Sequence, residues 1–302
     1  MGRKAVIDLG TNTFHLLIVE PAGPSLHAVH KERVYVKLGA DGIQTLSSAA
    51  MERGVQTLSE FARKLKDFDV EAYRAIGTAA LRTASNSAEF LARVNQQTGL
   101  HVEVISPRRE ASLISDGIKM DVPLDQLHLS LMLDIGGGSV ESIFHRYDKY
   151  LEADSYPVGV AVLHGLFHHS DPLHPTEGKA IRDHLMTYYA PLIEKYRSEK
   201  PVLIGASGSF EVLDDYFSQQ NPWASSDVLD VCNEIISMDR RAREAHPAIP
   251  SERVGYIVMA CALIRFILEE FQVPEVWYTP FALKEGVLAG WYPGRKLILD
   301  PV

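Results

Sequence analysis

Hydrophobic positions along the chain form short unbroken runs that alternate with longer amphipathic stretches. The runs predict buried strands over 4–9, 14–20, 27–37, 72–76, 101–105, 128–134, 140–146, 152–157, 201–204 and 275–278. The amphipathic stretches predict helices over 47–66, 85–97, 109–117, 176–197, 209–217, 227–236, 251–270 and 281–290. We expect Ser85 to cap the second of these helices and Gly99 to end it. Strands alternating with helices are typical of an α/β protein.

One hydrophobic–polar pattern occurs twice. The segment AVIDLGTNTFHLLI (Ala5–Ile18) aligns without a gap with LMLDIGGGSVESIF (Leu131–Phe144), so that Asp8 falls on Asp134 and Gly10 on Gly136. The copies open the two halves of the chain, and the stretch around Pro123 is the best linker between them. The repeat predicts two similar α/β domains, 1–121 and 122–302, around a central cleft, with the last helix free to pack back on the first domain.

Both repeated hairpins carry loops that suit phosphate oxygens, because small residues let backbone N–H groups approach a ligand closely. The candidate phosphate-binding residues are Asp8, Gly10, Thr11, Asn12 and Thr13 in the first copy and Gly136, Gly137, Gly138 and Ser139 in the second. Ordinary hairpin turns are the alternative, and the repetition favours phosphate binding.

A third candidate loop lies between a predicted strand and a predicted helix, and it contains Gly205, Ser207, Gly208 and Ser209. A helix N-terminus after a small-residue loop can bind an anion, and a tight turn explains the same pattern equally well. The spacing is not that of the dinucleotide-binding motif, so a nucleotide-dependent oxidoreductase is not indicated.

Two acidic residues of the second hairpin, Asp134 and Glu141, lie seven positions apart across the turn. In a hairpin both carboxylates can point to the same loop, and carboxylate oxygens suit Mg²⁺. Asp8 is a further candidate ligand. The alternative is that Asp134 only bonds its own turn and that Glu141 is solvated.

Glu110 and Arg82 leave two interpretations each. From position alone, Glu110 is best explained as a favourable charge in the first turn of a helix. Its carboxylate could instead deprotonate a water molecule. Arg82 follows a strand and suits either a phosphate group or a surface salt bridge.

The composition bounds the class of protein. The 302 residues carry 30 basic and 39 acidic side chains, a formal net charge of −9, and 46% of them are hydrophobic. Residues 1–121 hold 15 basic and 14 acidic side chains, whereas residues 122–302 hold 15 and 25. No basic stripe indicates nucleic-acid binding. With two cysteines, no secretory signal and no membrane-spanning run, we expect a cytoplasmic protein.

Four histidines, His164, His168, His169 and His174, lie close together in the sequence. Their density suggests a transition metal, but no acidic or sulfur ligand pattern organises them. A metal site is therefore not expected there, and their role stays open.

Six motifs occur together in the order of a known family. AVIDLGTNTFHLLI, GTAALRTASN, ISPRREASLI, LDIGGGSVE, GASGS and ALKEGVL resemble the exopolyphosphatase / guanosine pentaphosphate phosphohydrolase (Ppx/GppA) family over nearly the whole chain. The resemblance implies two duplicated ribonuclease-H-like domains of the actin and sugar kinase superfamily. It implies an enzyme that hydrolyses terminal phosphoanhydride bonds of inorganic polyphosphate or guanosine pentaphosphate, with a place in the stringent response.

The resemblance also implies the roles of individual residues. Glu110 would be the general base, Arg82 the phosphate-contacting arginine, and Asp134 with Glu141 the ligands of Mg²⁺ or another divalent cation. The loops at Asp8 to Thr13, Gly136 to Ser139 and Gly205 to Ser209 would contact substrate. The partners would be the phosphate substrate and, as an open alternative, a second copy in a homodimer, with no nucleic acid and no membrane.

Some positions depart from the family pattern. Ser112 stands where the family commonly has Arg, Val140 replaces a usual Thr, and Lys284 stands where Arg is frequent. These changes bear on substrate preference. We expect the further helical domains of longer family members to be missing, and with them a long polyphosphate track. Two alternatives stay open: a kinase of the same superfamily, and a non-catalytic regulator that binds guanosine tetra- or pentaphosphate.

Overall fold

The computed structural model describes residues 2–40, 42–206, 208–217 and 221–299. Its strands are β1 (Lys4–Leu9), β2 (Phe14–Ala22), β3 (Ser25–Val34), β4 (Ala72–Gly77), β5 (Val102–Val104), β6 (Ser130–Ile135), β7 (Val140–Arg146), β8 (Lys149–Tyr156), β9 (Val202–Ala206), β10 (Trp223–Ala224), β11 (Glu275–Tyr278) and β12 (Lys296–Ile298). Its helices are α1 (Ser48–Asp67), α2 (Ala79–Thr83), α3 (Ser87–Thr98), α4 (Pro107–Ile118), α5 (Val160–Phe167), α6 (Pro175–Tyr196), α7 (Gly208–Tyr216), α8 (Ser225–Ser237), α9 (Arg240–Ala245), α10 (Ile257–Phe271) and α11 (Leu283–Trp291). Within these ranges no helix is long and apolar enough to cross a bilayer.

The chain divides into two compact units. Unit 1 comprises Met1–Val122 with Phe281–Val302, and unit 2 comprises Pro123–Pro280. The sequence-based division places residues 281–302 with the second half and leaves their last helix free to return. In the structure α11 packs on α4, because glycines on both helices let the backbones approach closely: a Cβ on Gly286 would lie 1.7 Å from the Leu113 carbonyl oxygen.

Each unit contains one six-stranded sheet, and the two sheets share a topology. The first has the order β12-β3-β2-β1-β4-β5 and the second the order β10-β11-β9-β6-β7-β8. In both sheets the first strand pairs antiparallel with the second, and the second pairs antiparallel with the third. The first strand also pairs in parallel with the fourth, so that the order β3-β2-β1-β4 matches β8-β7-β6-β9. This is the duplicated ribonuclease-H-like α/β fold that the sequence predicted.

Each sheet has its own hydrophobic core. In unit 1, α1 and α3 cover β1 and β2, with Phe14, Phe61 and Phe90 fully buried between them. In unit 2, α10 is buried along nearly its whole length among α6, α8 and the central strands. The repeated strands are largely buried on both faces, which explains why apolar residues stand at consecutive positions in them instead of alternating with polar ones.

Most predicted elements agree with the structure, and the differences are local. The predicted cap Ser85 is wrong: α3 begins after Asn86, whose side chain bonds the Leu46 backbone, while Gly99 does end the helix in the left-handed region at φ 72°. The predicted helix 251–270 begins at Ile257, because residues 251–256 form turns. The short helices α2, α5 and α9 were not predicted.

Candidate active site

The first phosphate-loop candidate joins β1 to β2 in unit 1. The Gly10 N–H donates to the Thr13 carbonyl at 3.0 Å and closes the turn. The loop is supported by the segment after β3, where the Lys37 N–H donates to Asn12 O at 2.8 Å and the Gly39 N–H donates to Thr11 O at 3.0 Å.

The second candidate loop joins β6 to β7 in unit 2 and repeats this arrangement. The Gly136 N–H donates to Ser139 O at 3.0 Å. The support again comes from the segment after the third strand, since the N–H groups of Val160 and Ala161 donate to the carbonyls of Gly136 and Gly137 at 3.0 and 2.9 Å. These are the first amides of α5, which have no partner within the helix, so helix and loop satisfy each other.

The orientation of the loop carbonyls determines where the loop N–H groups point. In a trans peptide the C=O of one residue and the N–H of the next lie on opposite sides. Because the carbonyls of Gly136 and Gly137 point towards α5, the N–H groups of Gly137 and Gly138 point the opposite way. Successive amides aimed in one direction can bind anionic oxygens in a concave nest. In the loop after β1 the bonded carbonyls are those of Thr11 and Asn12, one position later in the alignment, so the N–H groups of Asn12 and Thr13 point away from the segment after β3.

The acidic residues of the second hairpin are direct neighbours. Asp134 in β6 and Glu141 in β7 form a cross-strand pair, so their side chains lie on the same face of the sheet. Glu141 is almost fully buried, at 2% exposure. Its Oε1 accepts hydrogen bonds from the hydroxyls of Ser139 and Ser155, both at 2.7 Å. Two carboxylates directly opposite each other repel, and a cation between them would remove that cost.

The first hairpin has the same register with different charges. Asp8 pairs with His15 across the turn, at the positions that Asp134 and Glu141 hold in the second hairpin. The His15 imidazole is hydrogen-bonded to the Thr13 hydroxyl at 3.2 Å. The acidic pair that suits a cation therefore occurs in unit 2 alone of the two hairpins.

Arg82 and Glu110 form an ion pair in unit 1. Arg82 lies on α2, directly after β4, and Glu110 lies in the first turn of α4, after β5. Arg82 Nη1 donates to Glu110 Oε2 at 2.8 Å and to the Ile105 carbonyl at 3.0 Å. The guanidinium offsets the cost of burying the carboxylate, which is 5% exposed.

These residues of unit 1 share one edge of the sheet. Because β1, β4 and β5 run parallel, their carboxyl ends lie side by side, and the first loop, α2 and α4 follow those ends. Ligands of open α/β sheets bind outside the carboxyl ends of the strands. Asp8, the first loop, Arg82 and Glu110 thus all lie at the edge where a ligand is expected.

The third loop lies beside the second loop in unit 2. Gly205 and Ala206 end β9, which pairs in parallel with β6 at Leu133 and Asp134. Gly208 and Ser209 begin α7, while the candidate Ser207 lies outside the described residues. Two of the predicted loops and the acidic pair therefore meet at one sheet edge.

Arg253 brings a cation to this third loop, and sequence analysis missed it. A Cβ on Gly208 would lie 1.4 Å from Arg253 Nη2, so the guanidinium covers the start of α7. Arg253 Nη2 also lies 3.7 Å from Glu211 Oε2. Burial, reinforced by the carboxylates of Asp215 and Glu211, raises the pKa of Asp214 on the same helix. No signal in the sequence connects residue 253 with residue 208, because the contact is tertiary.

The histidine cluster has structural roles in unit 2. His174 caps α6 with its side chain, and the His164 and His168 rings pack edge to face at 4.8 Å. Burial lowers the pKa of both rings. Within the described ranges, no group of three or more His, Cys, Asp or Glu side chains is placed to hold a metal ion. Asp134 and Glu141 would thus need water and substrate oxygens to complete a shell, as Mg²⁺ sites commonly do.

Comparison with known proteins identifies the family. The model of the Ppx/GppA phosphatase family matches residues 17–294. The chain belongs to this family. The sequence-based resemblance is confirmed.

Relatives of this chain in the Ppx/GppA family are named for two different activities. The chain is 34% identical over 225 residues to a guanosine-5'-triphosphate,3'-diphosphate pyrophosphatase of Vibrio vulnificus (strain YJ016), which covers 72% of this chain and 44% of that protein. It therefore matches less than half the length of this relative. This chain is also 31% identical to an exopolyphosphatase from Cytophaga hutchinsonii. The two structures have a TM-score of 0.90, and the match covers 97% of this chain and 99% of the other. The Aquifex aeolicus PPX-GPPA enzyme has the same fold, at 24% identity, a TM-score of 0.78 and coverage of 96% and 99%.

Proposed function

We propose that this Ppx/GppA protein hydrolyses a terminal phosphoanhydride bond of inorganic polyphosphate or guanosine pentaphosphate. The observation that carries the proposal lies in unit 2. The amides of Gly137 and Gly138 lie in the turn between the two members of the acidic cross-strand pair, Asp134 and Glu141, and point away from α5. These amides would bind anionic oxygens of a polyphosphate chain, and the two carboxylates would hold a divalent cation next to it.

The donor set fits Mg²⁺. Asp134 and Glu141 offer hard carboxylate oxygens side by side, and the repulsion between them favours a cation. When bound, Mg²⁺ would neutralise phosphate charge and stabilise the charge that develops on the leaving oxygen. Other divalent cations with a preference for oxygen would suit the same pair.

The residues of the chain would act mainly by positioning. In unit 2 the second and third loops hold phosphate oxygens through backbone amides, with Arg253 as an additional cation. In unit 1 the first loop contributes amides and hydroxyls. Phosphoryl transfer to water needs little covalent help from protein, so most of the rate enhancement would come from orientation and charge stabilisation.

Glu110 would orient the attacking water and accept its proton. Its burial and its bond to Arg82 support this role, because the pair fixes the carboxylate at the ligand-binding edge of unit 1. Arg82 is the matching phosphate contact, since a guanidinium can hold a carboxylate and a phosphate oxygen with different N–H groups.

The test is Glu110→Gln with Glu89→Gln as the matched control. Both acids lie in the first turn of a twelve-residue helix, α4 or α3, so both contribute alike to the helix dipole. We expect Glu110→Gln to lower the rate of phosphate release by about 10²–10⁴-fold, the range for loss of a general base. Substrate binding should survive, and Glu89→Gln should leave the rate unchanged.

The result also separates the alternatives. If Glu110→Gln stays within a few-fold of the parent protein, the base assignment is wrong. Tight binding of guanosine pentaphosphate with no phosphate release by the parent protein would instead support a regulator. Rates with short polyphosphate, long polyphosphate and guanosine pentaphosphate, each with and without Mg²⁺, would determine the substrate.

Both cysteines are buried free thiols, which supports the expected reducing, cytoplasmic location.

A further inference from the structure

The Glu141 carboxylate is held by two hydroxyls at once. Ser139, at the end of the second loop, and Ser155, on β8, both donate to Glu141 Oε1 at 2.7 Å. Ser155 reaches it because β7 and β8 are paired in the register Glu141↔Ser155. Sequence analysis did not single out Ser155, which lies fourteen positions away.

These two hydrogen bonds fix the direction in which the Glu141 carboxylate points. A carboxylate oxygen offers about two lone pairs, and two O–H donors use both of those on Oε1. Because one donor from the second loop and one from β8 hold Oε1, the carboxylate cannot rotate about its terminal torsion without breaking one of the two hydrogen bonds, and the position of Oε2 is fixed.

The first hairpin shows what the same scaffold looks like without this arrangement. At the positions of Glu141 and Ser155, unit 1 has His15 and Arg33, which are paired in the same way between β2 and β3. His15 and Arg33 both have basic side chains. The loop hydroxyl is kept in unit 1, where Thr13 stands at the position of Ser139 and is hydrogen-bonded to His15. The strand hydroxyl is not kept, because Arg33 stands at the position of Ser155, so Ser155 is the donor that accompanies the acidic pair.

We propose that Ser155 is a positioning residue for a divalent cation, acting through Glu141 together with Ser139. This inference rests on the cation role of Asp134 and Glu141 in the proposed function. Partners that orient a metal-binding side chain commonly change metal affinity by about 10–100-fold. Ser155 would set affinity for the cation, whereas the amides of the loop would set affinity for phosphate.

The experiment is titration of the full chain with Mg²⁺, and separately with Mn²⁺, by calorimetry in the absence of substrate. Ser155→Ala should weaken cation binding by about 10–100-fold. Ser155→Thr keeps the hydroxyl on a residue that suits a strand, and it should restore binding to near the parent value.

Ser142→Ala is the matched control. Ser142 is the neighbour of Glu141 on β7, is fully buried, and shares a hydrogen bond of 2.9 Å with the Tyr189 hydroxyl. Its removal costs a buried hydrogen bond of the same kind on the opposite face of the sheet. Ser142→Ala should therefore lower stability without changing the cation affinity.

The kinetic readout separates positioning from a structural role. The Mg²⁺ concentration for half-maximal phosphate release should rise by the same factor in Ser155→Ala, while the rate at saturating Mg²⁺ stays within a few-fold of the parent. Equal cation affinity in Ser155→Ala and the parent, or no cation binding by the parent, would overturn the inference. Weakened Mn²⁺ binding in a protein that releases no phosphate would support the inference and contradict the proposed function.

Discussion

The close crossing of α4 and α11 gives a quantitative prediction about unit 1. A Cβ added at Gly286 would lie 1.7 Å from the Leu113 carbonyl oxygen and 2.6 Å from its carbonyl carbon. Ordinary contact begins at 3.4 Å, so α11 would have to move away from α4 by about 1.7 Å to accept an alanine. Both neighbours are backbone atoms in a helix, which cannot rotate aside.

The expected magnitude is a balance of two effects. Alanine is favoured over glycine in a helix interior by roughly 0.5–1 kcal/mol. Overpacking typically costs about 1–3 kcal/mol, and more where backbone atoms must move. A gap of even 0.5–1 Å forfeits a quarter to a half of each dispersion contact along the crossing. Gly286→Ala should therefore lower the free energy of unfolding by about 2 kcal/mol.

Gly290→Ala is the control on the same helix. A Cβ at Gly290 meets nothing within 4 Å, so only the gain in helix propensity remains. The free energy of unfolding should therefore rise by about 0.5–1 kcal/mol. The assay is equilibrium urea unfolding followed by circular dichroism and by tryptophan fluorescence, since Trp291 lies on α11. If Gly286→Ala proves as stable as Gly290→Ala, the argument from close backbone approach is wrong.

Two further predictions concern unit 2. Gly159→Ala would place a Cβ 2.5 Å from the Gly137 backbone and should raise KM for the phosphate substrate about tenfold, measured by phosphate release, whereas Gly165→Ala has open space and should leave KM unchanged. Burial lowers the pKa of His168, so its stabilising contribution is present above its unfolded pKa of about 6.5 and is lost as pH falls through the lower folded value. His168→Phe should therefore flatten the loss of stability as the pH falls below about 6.5, measured by urea unfolding at a series of pH values, and an unchanged acid slope would contradict this cause.

The hairpins are the part of the fold that sequence reasoning predicted best. β1, β7 and β11 begin and end where the hydrophobic runs do. Buried strands are rich in apolar and β-branched residues and are bounded by turn residues, so their limits can be recognised in the sequence. The alignment of the two copies also gave the correct register, because Asp8 and Asp134 occupy the same place in the two sheets.

The short helices show why the rest could not be predicted. α2 has five residues and α5 has eight, which is too short for a helical period to emerge from the background. α5 shows a tertiary contribution that the sequence does not display: it begins where its first amides donate to the carbonyls of the second loop. The start of α3 also involves a distant contact. The helix begins after Asn86 and not after Ser85, and the Asn86 side chain is hydrogen-bonded to the backbone of Leu46, forty residues away.

The sequence by itself determined the α/β class, the repeat, the loops rich in small residues and the family. These depend on patterns within a few residues, where hydrophobic burial and turn geometry act locally. Only the tertiary structure decided that Arg82 pairs with Glu110, 28 positions on, and that Ser155 holds Glu141. Those contacts follow from strand order and register, which join distant segments through backbone hydrogen bonds and assign each side chain its neighbour.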